Sequence, residues 1–158
     1  MINIIMGSQS DFETVQETIN VLKEFKVAFG VKVLSAHRTP KELAYYVEGA
    51  SKSGTRVFIA AAGGAAALAG VIAAHTILPV IGIPIETSSL KGIDSLLSTV
   101  QMPGGIPVAS MAIGKAGAKN AALFALAILG ITDKKIASKL ITYKKAMREK
   151  IKKIKIKI

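Results

Sequence analysis

Apolar residues cluster in five short runs along residues 1–113, with polar or glycine-rich stretches between them. The runs are Ile2–Met6, Val27–Leu34, Val57–Ala61, Val80–Ile85 and Val108–Ile113. Within a run the apolar residues mostly follow one another rather than alternate with polar ones, which is typical of strands covered on both faces. The pattern predicts a parallel sheet of five largely buried strands.

The segments between these runs repeat apolar residues at helical spacing, as Val15, Ile19 and Leu22 do in the first segment. We expect Ser10 or Asp11 to cap the first helix, and Thr39 followed by proline to start the second. Helices are predicted over residues 11–26, 40–53, 65–74, 92–100 and 118–129. Strand and helix alternate five times, which predicts a doubly wound α/β fold with ligands beyond the carboxyl ends of the strands.

Residues 57–85 form a long uncharged stretch, so a membrane span has to be considered. The stretch consists mostly of Ala and Gly and contains two prolines near its end, whereas membrane helices are usually richer in Leu, Ile and Phe. We interpret it as a buried strand, a tight turn, a small-residue helix and a second buried strand. No membrane partner is expected.

The chain has 158 residues and no cysteine, so it is expected to form a main domain of ordinary size without disulfides. The lack of cysteine excludes a thiol nucleophile, an iron–sulfur cluster and a thiolate zinc site. The opening segment, MINIIMGSQSD, has no basic flank, and its apolar run before Gly7 is too short for a signal peptide. Together these features predict a cytoplasmic protein.

The net charge of +11 belongs almost entirely to the end of the chain. Residues 134–158 contain eleven Lys or Arg and one Glu, whereas residues 1–133 are nearly neutral, which argues against a general nucleic-acid-binding fold. The basic segment also carries a helical apolar stripe, made of Ile136, Leu140, Tyr143, Met147, Ile151, Ile154 and Ile158. We expect a domain over 1–131 and a basic amphipathic helix over 132–158 that packs on a neighbouring subunit. A helix lying on a membrane or on nucleic acid, and fraying beyond Lys150, are the alternatives.

The first of the turns that follow predicted strands reads GSQSD, residues 7–11. Gly7 allows a tight turn, and the N–H groups of a helix start together with two hydroxyls can cradle a phosphate. Asp11 would repel phosphate and is better suited to sugar hydroxyls. The turn lacks the lysine of a Walker A loop, and simple helix capping is an equal alternative.

The second turn, SAHRTP, holds one of the two histidines. His37 is suited to proton transfer, and Arg38 offers a planar fork that matches phosphate. The alternative is a histidine that only fixes the turn. His75 follows an Ala-rich helix and is expected to be structural. The chain has neither a GxSxG nucleophile elbow nor a zincin motif, and no metal site is predicted.

Three further turns are candidates for the site: residues 62–65, 86–92 and 114–120. The segment AAAGGAAALAG, residues 60–70, is built almost without side chains, so backbone amides can approach a flat or anionic ligand, or a helix can pack closely on the sheet. In GKAGAKN, residues 114–120, Lys115 is a candidate anion contact.

Six segments in this order and spacing resemble one family. GSQSD, SAHRTP, AAGGAA, LPVIGIP, GIDSLLSTVQMPGGIPVA and AIGKAGAKNAAL are similar to the 5-(carboxyamino)imidazole ribonucleotide mutases of purine biosynthesis. The resemblance covers residues 2–129 almost continuously. It implies a flavodoxin-like three-layer catalytic domain over 1–131 and assembly as a homo-octamer with active sites at subunit contacts. It also implies transfer of a carboxylate from an exocyclic nitrogen to a ring carbon of an aminoimidazole ribonucleotide, with no metal, nucleotide or biotin.

The resemblance also implies roles for single residues. Ser8 and Arg38 match phosphate contacts, Asp11 matches a ribose contact, and His37 matches the catalytic imidazole. The rest of the matching pocket comprises Ser10, Ser35, Gly63, Gly64, Ala65 and Leu68.

The chain departs from the family at two places. Many members read GGAAHLPG where this chain reads GGAAALAG, so Ala67 replaces a histidine and Ala69 a proline. Because His37 and its whole loop are retained, we expect the missing imidazole to be dispensable. Two rival functions are a carboxylase of the same fold that uses carbon dioxide directly, and a flavodoxin-like flavin, nucleotide or phosphate-binding module without catalytic activity.

Overall fold

The computed structural model describes residues 1–156, and a five-stranded parallel sheet lies at its centre. The strands are β1 (Ile2–Met6), β2 (Phe29–Val33), β3 (Val57–Ala62), β4 (Val80–Pro84) and β5 (Ala109–Ser110). Their order across the sheet is β2-β1-β3-β4-β5. Strands β1, β3 and β4 are buried almost throughout, whereas the edge strands are partly exposed. The predicted parallel sheet is confirmed.

Six helices connect and follow the strands. They are α1 (Phe12–Glu24), α2 (Pro40–Lys52), α3 (Leu68–Ala74), α4 (Ile93–Val100), α5 (Gly114–Gly130) and α6 (Lys134–Lys152), and a short 3₁₀ turn, Gln9–Asp11, precedes α1. Helix α2 begins at the predicted proline, and α4 lies within a residue of its predicted bounds. Helix α3 begins three residues later than predicted, because residues 63–67 are used by the turn that carries the glycines.

The helices cover both faces of the sheet. On one face, α2 and α3 pack against a buried cluster that includes Ile5, Phe58, Ala60 and Val80. On the other face, α1 and α5 are joined by a buried hydrogen bond from Thr18 Oγ1 to the Ala118 carbonyl, 2.8 Å long. Right-handed crossovers between parallel strands produce this distribution when the strand order is 2-1-3-4-5. The fold is therefore flavodoxin-like, as the resemblance implied.

The sequence-based bounds fail most clearly at the start of α5. We predicted a loop over 114–120 and a helix from 118, but the helix begins at Gly114. A Cβ atom on Gly117 would lie only 1.6 Å from the carbonyl oxygen of Ala112. The glycine thus permits close packing inside a helix, whereas isolated glycines in a sequence usually suggest a break. The fifth strand is also shorter than predicted, because the chain turns into α5 at Gly114, soon after Ser110.

The described chain divides into two compact units, Met1–Ala125 and a second unit from Leu126 onward. In the second unit, Asp133 caps α6 by accepting hydrogen bonds from the N–H groups of Lys135 at 2.9 Å and Ile136 at 3.2 Å. Along the predicted apolar stripe Ile136 is buried and Ile151 is 68 % exposed, so the stripe is increasingly open towards its end. The last stripe residue, Ile158, lies outside the described residues. Among residues 1–156, no helix combines the length and apolar character needed to cross a bilayer.

Candidate functional site

A cavity of about 540 Å³ opens beyond the carboxyl ends of the strands. Residues of four loops line it, drawn from 7–11, 35–38, 62–68 and 85–87. These loops follow β1, β2, β3 and β4 respectively, so the cavity lies where parallel α/β sheets usually bind ligands. Four of the five turns chosen from the sequence thus meet in one place.

The first loop presents two hydroxyls and a buried carboxylate. Ser8 is the N-cap of the 3₁₀ turn: its Oγ accepts hydrogen bonds from Ser10 N at 3.3 Å and from Ser10 Oγ at 2.9 Å. Asp11 Oδ2 accepts from Ser8 N at 3.0 Å and completes a capping box. Of the two predicted caps, Asp11 occupies the N-cap position of α1 but makes no side-chain capping bond to that helix, and the side-chain capping occurs at the preceding 3₁₀ turn, which begins after Ser8. Gly7 does not have a positive φ, and a Cβ there would meet its nearest neighbours at ordinary contact distances of 3.8–3.9 Å, so the turn does not require glycine at this position.

Asp11 is 6 % exposed, and burial raises the pKa of its carboxyl group above the ordinary value of 3.8. The hydrogen bonds from Ser8 and Ser10, and the positive charge of Arg38, oppose this rise because they stabilise the ionised form. The site thus holds a carboxylate close to a cation without a direct ion pair between them. A carboxylate of this kind is a good acceptor for ligand hydroxyl groups.

The second loop is closed by Thr39 and carries Arg38 at the rim of the cavity. Thr39 Oγ1 accepts from Ser35 N at 2.8 Å and donates to the Ser35 carbonyl at 3.1 Å. Thr39 therefore stabilises the turn and does not cap α2 with its side chain, contrary to the prediction. Arg38 Nη2 donates to the Gly7 carbonyl at 2.8 Å and Nε donates to Ser35 Oγ at 3.3 Å. Two of its five N–H donors are thus anchored, and three are left for a ligand.

The two histidines have different surroundings. His37 lines the cavity, and its side chain is exposed to solvent. His75 lies in a separate surface depression, where Nδ1 is 3.1 Å from Glu48 Oε1. Only His37 can therefore meet a ligand of the first cavity.

The third loop forms a wall of backbone and small side chains. Gly63, Ala65, Ala67 and Leu68 line the cavity. Gly64 has φ +66°, a conformation that favours glycine, and its N–H points away to a hydrogen bond with Ser95 Oγ at 3.0 Å. Of the predicted pocket residues, Gly64 is thus the one that supports the wall without lining it. The departure at Ala67 falls inside the cavity, so the residue that replaces the family's histidine faces the same space as His37.

The fourth loop contributes lining residues that the sequence analysis did not single out, namely Ile85, Glu86 and Thr87. Thr87 Oγ1 donates to both carboxylate oxygens of Asp94, at 2.9 and 3.1 Å, and this fixes the loop against α4. The only sequence signal for this loop was its position after a buried strand. That signal indicated the turn as a candidate but did not indicate which of its residues would line the cavity. The fifth turn does not line the cavity. There, Lys115 Nζ lies 2.6 Å from Glu13 Oε1, so the predicted anion contact is already paired.

The polar groups around the cavity are hydroxyls, a guanidinium, an imidazole and two carboxylates. Within residues 1–156, no group of three or more His, Cys, Asp or Glu side chains is arranged to hold a metal ion. A guanidinium beside serine hydroxyls suits a phosphate, and an exposed imidazole next to it can move a proton at the ligand's other end. The side chains present are therefore of the types that can bind an anion and carry out acid–base chemistry.

Fold and site together define a flavodoxin-like α/β protein with a cavity at the carboxyl edge of the sheet, lined by a guanidinium, an imidazole, hydroxyl groups and carboxylates. The family profile described as AIR carboxylase matches residues 1–150. The chain belongs to this family of enzymes.

Three relatives illustrate the similarity, and each is named N5-carboxyaminoimidazole ribonucleotide mutase. The chain is 50% identical to the protein of Brucella melitensis biotype 1 over 148 residues, which is 94% of this chain and 91% of that one. It is 54% identical to the Bacillus subtilis protein over 140 residues (89% and 86%) and 49% identical to the Escherichia coli K12 protein over 148 residues (94% and 88%). The crystal structure of Treponema denticola PurE is similar with a TM-score of 0.87 and 28% identity, covering 95% of this chain and 92% of that one.

Proposed function

We propose that this chain is a mutase of purine biosynthesis that converts 5-carboxyamino-1-(5-phosphoribosyl)imidazole to 5-amino-1-(5-phosphoribosyl)imidazole-4-carboxylate. One observation carries the proposal: His37, Arg38, Ser8 and Asp11 line one cavity in a chain about half identical to relatives named as this mutase. A sugar phosphate and an aminoimidazole together require an anion site at one end and a proton-transfer group at the other.

In this proposal the phosphate binds at Ser8 and Arg38. The anchored guanidinium offers its remaining N–H groups as a planar fork, and charge-assisted hydrogen bonds of this type are strong and directional. Ser10 and Ser35 extend the polar wall on either side. Asp11 accepts hydrogen bonds from ribose hydroxyls, so a buried carboxylate faces the neutral sugar and not the phosphate.

The reaction then proceeds by loss and recapture of carbon dioxide. The bond between the exocyclic nitrogen and the carboxyl carbon breaks, and its electron pair returns to nitrogen. The ring carbon, which is nucleophilic because of the amino group, forms a bond to the same carbon dioxide and afterwards loses its proton. His37 carries the proton between ring carbon and nitrogen, a contribution of about 100- to 10,000-fold to the rate. Atoms and charge balance without a second substrate.

The wall formed by Gly63, Ala65 and Leu68, with the turn fixed at Gly64, holds carbon dioxide during the transfer. Small side chains let the flat imidazole ring approach the loop closely. Keeping the two fragments together replaces a bimolecular encounter by an intramolecular step, which lowers the entropic barrier.

A direct carboxylase of aminoimidazole ribonucleotide is the alternative activity of the same fold. The names of the relatives favour the mutase. The two activities differ in their substrate: a mutase uses the carbamate without added bicarbonate, whereas a carboxylase needs the free amine and carbon dioxide. Assays of purified protein with each substrate separate them.

The proposal also covers the oligomeric state of the enzyme and its location in the cell. The active enzyme is a homo-octamer in the cytoplasm, and the basic helix beyond residue 132 packs on a neighbouring subunit. The exposed Met147 and Ile151 on the α6 stripe are in accord with such a contact. Sedimentation of the full chain and of a chain truncated after Thr132 measures this contribution, and an octamer of unchanged stability after truncation would contradict it.

The decisive experiment uses the two histidines as a matched pair. His37→Asn keeps a similar shape but removes the proton carrier, so turnover of the carbamate should fall at least 100-fold while binding of the product ribonucleotide stays within about threefold. His75→Asn makes the same chemical change outside the cavity and should leave turnover near that of the wild type. Near-normal turnover of the His37 variant would remove this imidazole from the mechanism.

A further inference from the structure

The buried hydroxyl of Ser95 joins two of the loops that line the cavity. Ser95 lies in α4 within the GIDSLLS segment and is 0 % exposed. Its Oγ accepts a hydrogen bond from Gly64 N at 3.0 Å and donates one to the Ile85 carbonyl at 2.8 Å. Gly64 belongs to the third loop and Ile85 to the fourth, so one side chain outside the cavity links two of its walls, in addition to the backbone hydrogen bond from Ile85 N to the Ala62 carbonyl at 2.9 Å.

In the third loop Ala66 and Leu68 are buried in the core, whereas the Gly64 peptide is held by hydrogen bonds. Gly64 has φ +66°, and no atom lies within 4 Å of the position a Cβ would take. Its carbonyl accepts a short-range bond from Ala66 N at 2.8 Å and a long one from Ser98 Oγ at 3.4 Å. Glycine can adopt many backbone conformations, so the hydrogen bonds at Gly64 help to restrain its φ and ψ angles. The bond made by its N–H group is the one to Ser95 Oγ.

We propose that Ser95 is a positioning residue that keeps the cavity closed around carbon dioxide between its release and its recapture. The inference rests on the proposed function, in which the carbamate nitrogen releases this molecule and the ring carbon binds it. Carbon dioxide is small and uncharged, so no ion pair retains it and the shape of the wall must. Ser95 touches neither the substrate nor the gas and acts through Gly64 and Ile85.

The test measures how often carbon dioxide escapes. Ser95→Ala leaves Gly64 N–H and the Ile85 carbonyl without this partner, which should make the open arrangement of the loops about tenfold more populated. Two readouts follow: the share of turnovers that ends in free aminoimidazole ribonucleotide, corrected for spontaneous loss, and the incorporation of labelled carbon dioxide from solution into the product. Both should rise several-fold, whereas a merely structural role would lower turnover without changing this partition.

Two further variants keep the test decisive. Thr99→Val removes another buried hydroxyl from α4, one that donates only to the Ser95 carbonyl at 2.7 Å, and should leave the partition unchanged. Gly64→Ala perturbs the same loop without altering α4, and it should leak carbon dioxide even if Ser95→Ala does not fold.

The outcomes separate this inference from the proposed function. A wild-type protein that fails to convert the carbamate would overturn the proposed function itself. A wild-type protein that converts it, with Ser95→Ala and Gly64→Ala both retaining the wild-type partition, would overturn the role of Ser95. Equal leakage from Thr99→Val would overturn it as well, because the effect would then belong to α4 in general.

Discussion

Replacing Arg38 by alanine should weaken the preference of the site for a phosphorylated ligand by about 10- to 30-fold. In the structure the guanidinium is anchored on the Gly7 carbonyl at 2.8 Å and on Ser35 Oγ at 3.3 Å, so its remaining N–H groups are already oriented. A hydrogen bond to a charged group contributes about 1.5–3 kcal/mol, which corresponds to roughly 10- to 150-fold in affinity. Because Arg38 is exposed and its charge is screened by water, we expect the lower part of that range, about 10- to 30-fold.

The assay compares two ligands that differ only in the phosphate. Isothermal titration of the product ribonucleotide and of its dephosphorylated nucleoside gives a ratio of dissociation constants for each variant. Arg38→Ala should weaken the nucleotide and leave the nucleoside nearly unchanged. Arg38→Lys keeps the charge but cannot preserve both anchors, so its ratio should fall between those of the wild type and the alanine variant.

The matched control is Lys115→Ala, which also removes one positive charge. Lys115 is paired with Glu13 outside the cavity, so its loss should not change the ratio. Thermal unfolding of both variants should stay close to that of the wild type, because substitutions at exposed positions usually alter stability by about 0.5 kcal/mol or less. If Arg38→Ala weakens nucleotide and nucleoside equally, Arg38 does not bind the phosphate.

Three more predictions concern burial, backbone and the altered motif. Because the pKa of Asp11 is raised, the folded chain binds more protons than the unfolded chain at pH values just above 3.8. The contribution of this group to the free energy of unfolding therefore falls as pH rises through that window. Asp11→Asn should remove this fall in a series of urea denaturations at acidic pH. Gly117→Ala should prevent folding or lower the free energy of unfolding by more than about 3 kcal/mol, because its Cβ would overlap the carbonyl of Ala112. Gly49→Ala, in the exposed part of α2, should instead raise the free energy of unfolding by about 0.5–1 kcal/mol in the same denaturation assay. Ala67→His should change turnover less than about threefold; a gain of 100-fold would show that the enzyme lacks an imidazole it needs.

Much of the fold was predictable because its signals are local. Runs of apolar residues of strand length, separated by helical spacing, identified the sheet, and β1, β3 and β4 match their predicted bounds to within a residue. Glycines were misread in one place, where Gly117 serves close packing and does not interrupt α5. The capping role of Ser8 was missed, and Thr39 stands at the predicted N-cap of α2 but uses its hydroxyl within the preceding turn. Which hydroxyl accepts which N–H depends on backbone angles that neighbouring residues share.

The candidate site was predictable in part. Every turn after a strand was a candidate, and four of the five do line the cavity. Lys115 was a reasonable anion contact from its position in a turn, but its charge is engaged by Glu13. Glu86 and Thr87 carried no motif of their own and became visible only when the end of β4 was placed beside the third loop.

The order of strands and helices along the chain, its basic end and the residue types available for chemistry follow from spacing and composition alone. Which of these residues share a cavity depends on how the chain packs in three dimensions. His37 and His75 look alike along the chain, yet one faces the cavity and the other pairs with Glu48. The hydroxyl of Ser95 reaches Gly64 across 31 positions. Contacts of this kind form because parallel strands bring loops that are far apart in the sequence to one edge of a sheet. No local sequence pattern encodes how close two such loops will lie.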